Sequence, residues 1–313
     1  MIRLILNRIV VTVPVVAISA ILVFFMLRLT PGNPAVILAG ESASQATIDA
    51  ITRDLGLDKS IPEQLYLWAI QILQGNLGSS IMSGLPVAEM IADRIGPTTS
   101  LAICTLILSI FVGIPLGVVA AANKGKVLDR AIMGISVTGF SAPVFVLGYI
   151  LIFVFSVKLQ WLPVQGYTPI SEGLLPFLTD LTLPTVTLSF IYIALFARIT
   201  RTSMLEVLSA DFVRTAYAKG LPRYIVLARH ALRNAAIPIV SVIGIAFALM
   251  IGGVVVTETV YNIPGLGRLV VDAVLGRDYA VIQGVILALS LAYVLVNLLI
   301  DVLYMLLDPR IKY

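Results

Sequence analysis

The chain has 313 residues, of which 59% are hydrophobic and only 12% are charged. Soluble domains carry about 25% charged residues, so this chain has too few polar side chains to cover a water-soluble particle of 33.6 kDa. A single cysteine and a single histidine exclude an intrachain disulfide and a His/Cys metal cluster. Composition therefore predicts an integral membrane protein without a metal or cofactor of its own, and excludes disorder, nucleic-acid binding and a secreted disulfide scaffold.

Six stretches without Asp, Glu, Lys or Arg are long enough to cross a bilayer as helices, which takes about 20 residues. The runs cover residues 9–27, 96–123, 131–157, 181–197, 234–257 and 279–300. Arg198 and Arg201 can lengthen the short fourth run by snorkelling. Prolines inside the runs, such as Pro143, are tolerated where neighbouring helices satisfy the freed carbonyls. With their flanks, the predicted spans are about 9–28, 96–123, 131–157, 180–199, 235–257 and 279–307.

The first run has a second interpretation as a secretory signal peptide, because Arg3 and Arg8 precede it. Its apolar stretch is longer than that of a signal peptide, and residues 26–30 contain no small-residue cleavage site. We therefore interpret this run as an uncleaved span.

Charge predicts the orientation, since basic residues concentrate on the cytoplasmic side of membrane proteins. With both termini inside, 14 of the 21 basic residues fall on the inner side and 12 of the 17 acidic residues on the outer side. The sequence thus predicts an all-α membrane protein of six helices with both termini cytoplasmic. The basic pI of about 9.2 then reflects topology and not affinity for nucleic acid.

The long outer segment, residues 30–95, carries helix signals. Ser60 and Glu63 have the spacing of a capping box, with Pro62 in the first turn. We predict short amphipathic helices at the membrane surface or over the outer mouth of the bundle. The alternative is a dedicated ligand-binding subdomain.

The inner loop, residues 200–234, predicts a short capped helix over 210–219. Ser209 can cap its start, and Asp211 places a negative charge in the first turn. Gly220 supplies a C-terminal stop, and Pro222 prevents continuation.

Phe212, Ala216 and Thr215 share one face of this helix, while Arg214 and Lys219 are basic. So short a helix is marginal in water, which favours docking into the groove of a partner. The alternative is a basic loop that touches anionic lipid head groups.

Three smaller patterns have ordinary structural explanations. Gly113 and Gly117 predict close helix packing in the second span. The Gly-x-Gly within residues 262–267 lies outside and follows no strand, so it is not a nucleotide site. No Walker-type loop is present, so the chain itself does not bind ATP.

Tyr293, Asn297 and Asp301 are four residues apart and form a polar stripe on the last span. Polar groups in spans usually face the bundle interior, so we expect interhelical hydrogen bonds here, with a substrate-path or gating role as the alternative.

Two other classes of protein fit six spans less well. An ion-coupled secondary transporter needs ionisable residues near the midplane, and the six runs contain none. An intramembrane serine protease would need a histidine beside a nucleophile such as Ser141, but His230 lies in the inner loop.

Residues 211–220, DFVRTAYAKG, resemble the "EAA" motif of binding-protein-dependent ABC importer permeases, in the first-permease type of the dipeptide/oligopeptide/nickel family. Two departures from the general motif are Arg214 in place of a glutamate and Pro238 further downstream, so a glutamate contact with the ATPase is impossible at that position. The matching segments elsewhere are LTPGNP (29–34), LGLD (55–58), GNLG (75–78), TETVYNIPGLG (257–267), RDY (277–279), DVLY (301–304) and DPRIKY (308–313).

The resemblance implies a permease subunit of an ATP-driven importer, with a type I fold and no chemistry of its own. Its implied substrates are di- or oligopeptides, with nickel, glutathione or oligosaccharide as alternatives, and its implied location is a bacterial or archaeal inner membrane. Implied partners are a homologous second permease, ATP-binding cassette subunits that bind the ATP, a periplasmic or lipid-anchored substrate-binding protein, and membrane lipid. The implied ATPase-coupling residues are Asp211, Phe212, Arg214, Thr215, Ala216, Lys219 and Gly220.

Overall fold

The computed structural model describes residue 14 and residues 16–25, 34–39, 44–54 and 56–307. In these ranges the chain is almost entirely helical, with one isolated bridge between Ser79 and Pro86. The chain forms two compact units. The first combines the N-terminal region up to Ile95 with Leu269–Val294, and the second combines Gly96–Arg268 with the residues from Leu295 onwards.

Short helices make up the N-terminal part of the first unit. They are α1 (Val16–Phe25), α2 (Pro34–Ala39), α3 (Gln45–Asp54) and α4 (Ile61–Leu73). Phe24 is fully buried, and its ring centroid lies 5.4 Å from that of Trp68 on α4. The predicted capping box of α4 is wrong in detail: Ser60 occupies the N-cap position without a side-chain hydrogen bond, and Glu63 pairs with Lys59 at 3.5 Å.

Ten further helices follow, and two of them are extended by π-helical segments at Ile152–Lys158 and Val226–Ala231. A 3₁₀ turn, Ile170–Glu172, lies just before the helix that begins at Leu174. The helices are α5 (Val87–Ala122), α6 (Val127–Ser141), α7 (Val144–Leu151), α8 (Leu174–Leu208), α9 (Asp211–Ala218), α10 (Arg223–Ile225), α11 (Leu232–Asn234), α12 (Ala236–Tyr261), α13 (Leu266–Leu275) and α14 (Tyr279–Leu307).

Four helices of the described ranges, α5, α8, α12 and α14, are long and apolar enough to cross a membrane. A fifth span results if the bent pair of α6 and α7 counts as one. The predicted first span, 9–28, is described only at residue 14 and residues 16–25, and the latter form the ten-residue apolar helix α1. The helices α5 and α8 begin before their apolar runs, because the runs exclude charged residues such as Glu89, in the first turn of α5, and Asp180, in the second turn of α8.

The predicted third span, 131–157, is not one straight helix. The chain turns by 104° between Val127–Ser141 and Val144–Lys158. Ala142 is extended, with φ −80° and ψ 128°, as expected for a residue before proline. Pro143 begins the new helix, so this proline breaks the span, whereas Pro115 and Pro184 lie inside continuous helices.

The helices α5 and α8 approach each other closely, as the glycine pair predicts. A Cβ atom on Gly113 would lie 2.9 Å from the Cβ of Phe196, and one on Gly117 would lie 2.5 Å from the Cβ of Thr200. Only glycine lets the backbones approach this closely, so the pair fixes the contact between the two helices. A buried apolar core extends from this contact towards α7 and α12 and includes Leu101, Leu188, Phe196, Met250 and Tyr261.

Candidate functional site

The loop between α8 and α12 presents the short helix α9. Its two buried residues, Val213 and Ala216, pack on Val226 of the following π-helical segment. Val207, Leu208 and Leu221 complete this small apolar cluster. An isolated eight-residue helix is marginal in water, so this packing, more than helix propensity, holds α9 in place.

A Schellman motif ends α9. The N–H of Gly220 donates to the carbonyl of Tyr217 at 2.9 Å, and the N–H of Leu221 donates to that of Ala216 at 3.3 Å. Gly220 has a φ of +79°, a left-handed conformation that favours glycine. The stop predicted at Gly220 is therefore present, and Leu221 and Ala216 share the apolar contact that accompanies such motifs.

The start of α9 differs from the prediction. Ala210 and not Ser209 occupies the N-cap position, and no side chain caps the helix. The hydroxyl of Ser209 donates instead to the carbonyl of Glu206 at 2.7 Å. Asp211 still places its charge in the first turn, next to the uncapped N–H groups, where it complements the helix dipole.

The remaining surface of α9 is exposed. The aromatic side chains of Phe212 and Tyr217 are 45% and 42% exposed. Arg214 lies 3.7 Å from Asp211, and both side chains are over 80% exposed, so the pair contributes little stability. Of the seven predicted coupling residues, Ala216 alone is buried, and the exposed ones are Asp211, Phe212, Arg214, Thr215, Lys219 and Gly220.

Sequence reasoning placed Phe212 on the face of Ala216 and missed the buried Val213. The spacing of three between Val213 and Ala216 was the available signal, because residues three apart lie on one helix face. Tyr217 was also missed; its ring is exposed and lies about 140° around the helix from Phe212, on the other side of the buried pair.

A buried ion pair joins α6 to α8. The guanidinium of Arg201 donates to both carboxylate oxygens of Asp129, at 2.5 Å and 2.8 Å. The N–H of Gly125 adds a third bond to Asp129 at 2.8 Å. The snorkelling predicted for Arg201 is therefore wrong, since its charge is neutralised within the protein. Arg198 lies over the ring of Phe140, 5.3 Å from its centroid.

A second buried carboxylate lies where α12 ends. Glu258 is fully buried and accepts hydrogen bonds from the hydroxyl of Thr98 at 2.6 Å and the N–H of Arg268 at 2.9 Å. The Thr98 hydroxyl also accepts from the N–H of Leu266 at 2.8 Å. The Gly-x-Gly pattern belongs to this site: a Cβ on Gly265 would lie 2.1 Å from the Glu258 carboxylate.

The polar stripe lies on α14. Tyr293 is 39% exposed and Asn297 is half-buried, while the side chain of Asp301 lies outside the described residues. Interhelical bonding and a pathway role therefore both stay predictions. Among the described residues, no group of three His, Cys, Asp or Glu side chains is arranged to hold a metal ion.

Apolar helices of spanning length define a polytopic membrane protein. One of its loops carries α9, a short packed helix that exposes aromatic and basic side chains. Residues 113–313 match the family described as "Binding-protein-dependent transport system inner membrane component", and residues 1–102 match the N-terminal part of such components. The chain belongs to this family, which confirms the resemblance inferred from its motifs.

Curated relatives match over the whole length. A probable peptide ABC transporter permease of Sinorhizobium fredii is 53% identical over 309 residues, which is 99% of both chains. A putative peptide transport system permease of Brucella abortus and a glutathione transport system permease of Pectobacterium atrosepticum are each 42% identical over 313 residues, all of both chains. The family decides against the secondary transporter and the protease, and it places ATP hydrolysis in partner subunits.

The fold agrees with this membership. The chain superposes on a protein chain of an inward-facing MetNI methionine ABC transporter with a TM-score of 0.60 and 17% identity. The match covers 71% of this chain and 97% of that one. The protein therefore has the fold of a type I ABC importer permease.

Proposed function

We propose that this permease forms half of the translocation pathway of an importer for di- or oligopeptides, and that α9 is the helix through which ATPase subunits drive it. The observation that carries the proposal is the exposed surface of α9, defined by Phe212, Arg214, Tyr217 and Lys219. Two aromatic rings beside two basic groups, on a helix held rigidly from below, suit a groove that is apolar at its centre and acidic at its rim.

The lipid alternative is less well supported. A loop that binds anionic head groups needs positive charge but neither a fixed helix nor a stop signal. The Schellman motif and the cluster under Val213 hold α9 in one conformation, and rigidity lowers the entropy lost on docking to a protein groove.

Membership of the family implies ATPase and substrate-binding partners. The proposal makes these specific: a homologous second permease, two ATP-binding cassette chains or one fused chain, and a periplasmic or lipid-anchored binding protein in a bacterial inner membrane. It also includes six spans with both termini cytoplasmic, which puts α9 on the side where ATP is available. The charge distribution of the sequence supports this orientation.

The substrate class follows from the relatives. The most similar one cited above is described as a peptide permease, and another is described as transporting glutathione, which is itself a tripeptide. A peptide substrate accounts for both descriptions. Glutathione is the second candidate, and nickel and oligosaccharide have no comparable support among these relatives.

Charge reversal tests the docking role. We expect Arg214→Glu with Lys219→Glu to weaken co-purification of the ATPase, because the acidic rim of the groove would then meet acidic side chains. The loss should be largest at low ionic strength. At 0.1 M salt, exposed charges that lie farther apart than about 10 Å are largely screened from each other. Lys124→Glu with Lys126→Glu is the matched control, because both side chains are exposed but lie in the α5–α6 turn. Equal co-purification of both variants at every salt concentration would reject docking through α9.

Uptake tests the substrate. The permease, reconstituted with its partner subunits and binding protein, should import a radiolabelled dipeptide in an ATP-dependent manner. Unlabelled tripeptide should compete, whereas a nickel chelate or an oligosaccharide should not. Uptake of glutathione alone, without dipeptide uptake, would move the assignment to the second candidate.

A further inference from the structure

Two arginines on either side of α9 hold the same turn between α5 and α6. Arg201 lies on α8, before α9, and binds the carboxylate of Asp129 with two hydrogen bonds of 2.5 Å and 2.8 Å. Arg223 lies on α10, after α9, and donates from its guanidinium to the carbonyl of Ala122, the last residue of α5. We call the three side chains Asp129, Arg201 and Arg223 the loop brace.

The turn held by the loop brace is itself ordered around Asp129. Gly125 has a φ of +77°, a left-handed conformation, and its N–H donates to the Asp129 carboxylate at 2.8 Å. The carboxylate therefore joins the turn, the first turn of α6 and the last third of α8 through three hydrogen bonds. Asp129 is 3% exposed, whereas the Arg201 side chain is 25% exposed.

This geometry resists relative motion of α6 and α8. A bidentate guanidinium–carboxylate pair fixes the angle as well as the distance between its partners. Separating them would leave the buried Asp129 carboxylate without its counter-charge, which is strongly unfavourable. A displacement of α8 therefore moves α6 with it, because the alternative is an unpaired buried charge.

A short link joins α9 to α8. Only Ser209 and Ala210 separate the two helices, and the helices pack on the same apolar cluster, α8 through Leu208 and α9 through Val213. A force on α9 therefore reaches Arg201 through the last turns of α8. On the other side of α9, it reaches Arg223 through the Schellman turn.

We propose that the loop brace transmits the displacement of α9 to α5 and α6, with Asp129, Arg201 and Arg223 acting as positioning residues for ATP-driven transport. The proposal rests on the docking role of α9 proposed above. Motion that enters at α9 moves three helices together, because the brace ties the ends of α5 and α6 to both flanks of α9. Without the brace, α9 still docks and ATP is still hydrolysed, but the displacement does not reach the turn.

The test separates assembly from coupling. The full complex, reconstituted in proteoliposomes with its ATPase and binding protein, is assayed for ATPase co-purification, ATP hydrolysis and uptake of a radiolabelled dipeptide. A fourth measurement, stimulation of hydrolysis by the binding protein, does not depend on the identity of the substrate. The variants are Asp129→Asn, Arg223→Ala and Arg223→Lys, and the controls are Arg130→Ala and Arg229→Ala, whose side chains are exposed.

We expect Asp129→Asn and Arg223→Ala to lower the dipeptide transported per ATP hydrolysed by about tenfold, within the usual range of coupling energies. Binding-protein stimulation should fall in parallel while ATPase co-purification is unchanged. Arg223→Lys, which retains a donor for the Ala122 carbonyl, should recover most of the ratio. The two controls should match the wild type.

A wild-type ratio in Asp129→Asn and Arg223→Ala would overturn the proposal. So would a loss of uptake that only mirrors a loss of co-purification, because the residues would then be merely structural. If the Asp129→Asn protein does not assemble with its partners, the result for Arg223→Ala is sufficient. Arg223 is exposed, so its replacement does not disturb the buried pair of Asp129 and Arg201. A failure of the docking role of α9 can be told apart from a failure of this proposal. If α9 is not the docking helix, charge reversal on α9 will leave ATPase association intact, although the loop brace is unaltered in that variant.

Discussion

Glu258 shows how this protein keeps a carboxylate inside an apolar core. A buried charge is costly unless hydrogen bonds and opposite partial charges surround it. The hydroxyl of Thr98 and the N–H of Arg268 meet this need, and the latter belongs to the first turn of α13, whose dipole also favours a negative charge. One side chain thereby fixes the direction in which the chain leaves α12.

Gly265→Ala should destabilise this site. A Cβ there would lie 2.1 Å from a Glu258 oxygen, a distance that the carboxylate can relieve only by giving up its hydrogen bonds. We expect a loss of about 1–3 kcal/mol, typical of overpacking in a core, and a lower melting temperature of the purified protein in detergent. Gly252→Ala is the control, because its Cβ would meet nothing within 4 Å. Equal melting temperatures for both variants would contradict this account of the Gly-x-Gly pattern.

Thr98→Val tests the same network from α5. Valine keeps the shape of threonine but removes the hydroxyl that donates to Glu258 and accepts from the N–H of Leu266. The change leaves the N–H of Leu266 without this acceptor and removes one of the donors to the Glu258 carboxylate, which should cost about 1–3 kcal/mol, measured as a fall in melting temperature. Thr202→Val is the matched control, since that hydroxyl is exposed and bonds only the carbonyl of Arg198 in its own helix. An unchanged melting temperature for Thr98→Val would show that water replaces the hydroxyl.

These pairings were beyond sequence reasoning for a simple reason. Thr98 and Glu258 are 160 residues apart, and Asp129 and Arg201 are 72 apart. Composition and periodicity are local properties, so they identify a charged residue near a span end but not its partner. The lone acidic Asp129 in a basic turn was the available hint, and snorkelling was the simpler explanation for Arg201.

At the scale of the element, α9 is the part of the chain that its sequence specified best. Its stop and its bounds are encoded within ten neighbouring residues, and the helix formed is Asp211–Ala218, inside the predicted 210–219. The cap by Ser209 and the buried face were predicted less well, since Ala210 is the N-cap residue and Val213 is buried. The bend at Pro143 is the opposite case. Pro115 and Pro184 lie inside helices that continue through them, so a proline within an apolar run does not reveal by itself whether the span will break.

Gly220→Ala should disturb α9 without unfolding the protein. Its φ of +79° costs a residue with a Cβ about 1–2 kcal/mol, and a rotated end of α9 would misplace Tyr217 and Lys219. We expect ATPase association to weaken about fivefold, the equivalent of 1 kcal/mol, at an unchanged yield of membrane-inserted protein. Gly134→Ala is the control, because it lies in a regular helix with open space around its Cβ. Wild-type affinity in Gly220→Ala would remove the need for the Schellman geometry in docking.

At the scale of the whole molecule, charge and hydropathy act together. The four spanning helices and the bent pair account for five of the six predicted spans, and the remaining one, the predicted first span, is described only in part, as the shorter helix α1. The proposed orientation places 14 of the 21 basic residues inside. Those basic residues include Arg214 and Lys219 on the surface of α9 and the two arginines of the loop brace. The positive charge that orients the protein therefore also lies where ATP-driven partners would act.

Cysteine labelling tests this orientation directly. Cys104 is the single cysteine of the chain, so Cys104→Ser gives a background without thiols. Ser171→Cys places an exposed thiol in the loop before α8, and Ser209→Cys places one in the loop after it. An impermeant maleimide added to intact cells should modify Ser171→Cys and spare Ser209→Cys until the membrane is opened, because the spanning length of α8 separates the two sites. The reverse pattern would invert the topology and remove α9, together with the loop brace, from the side where ATP is hydrolysed.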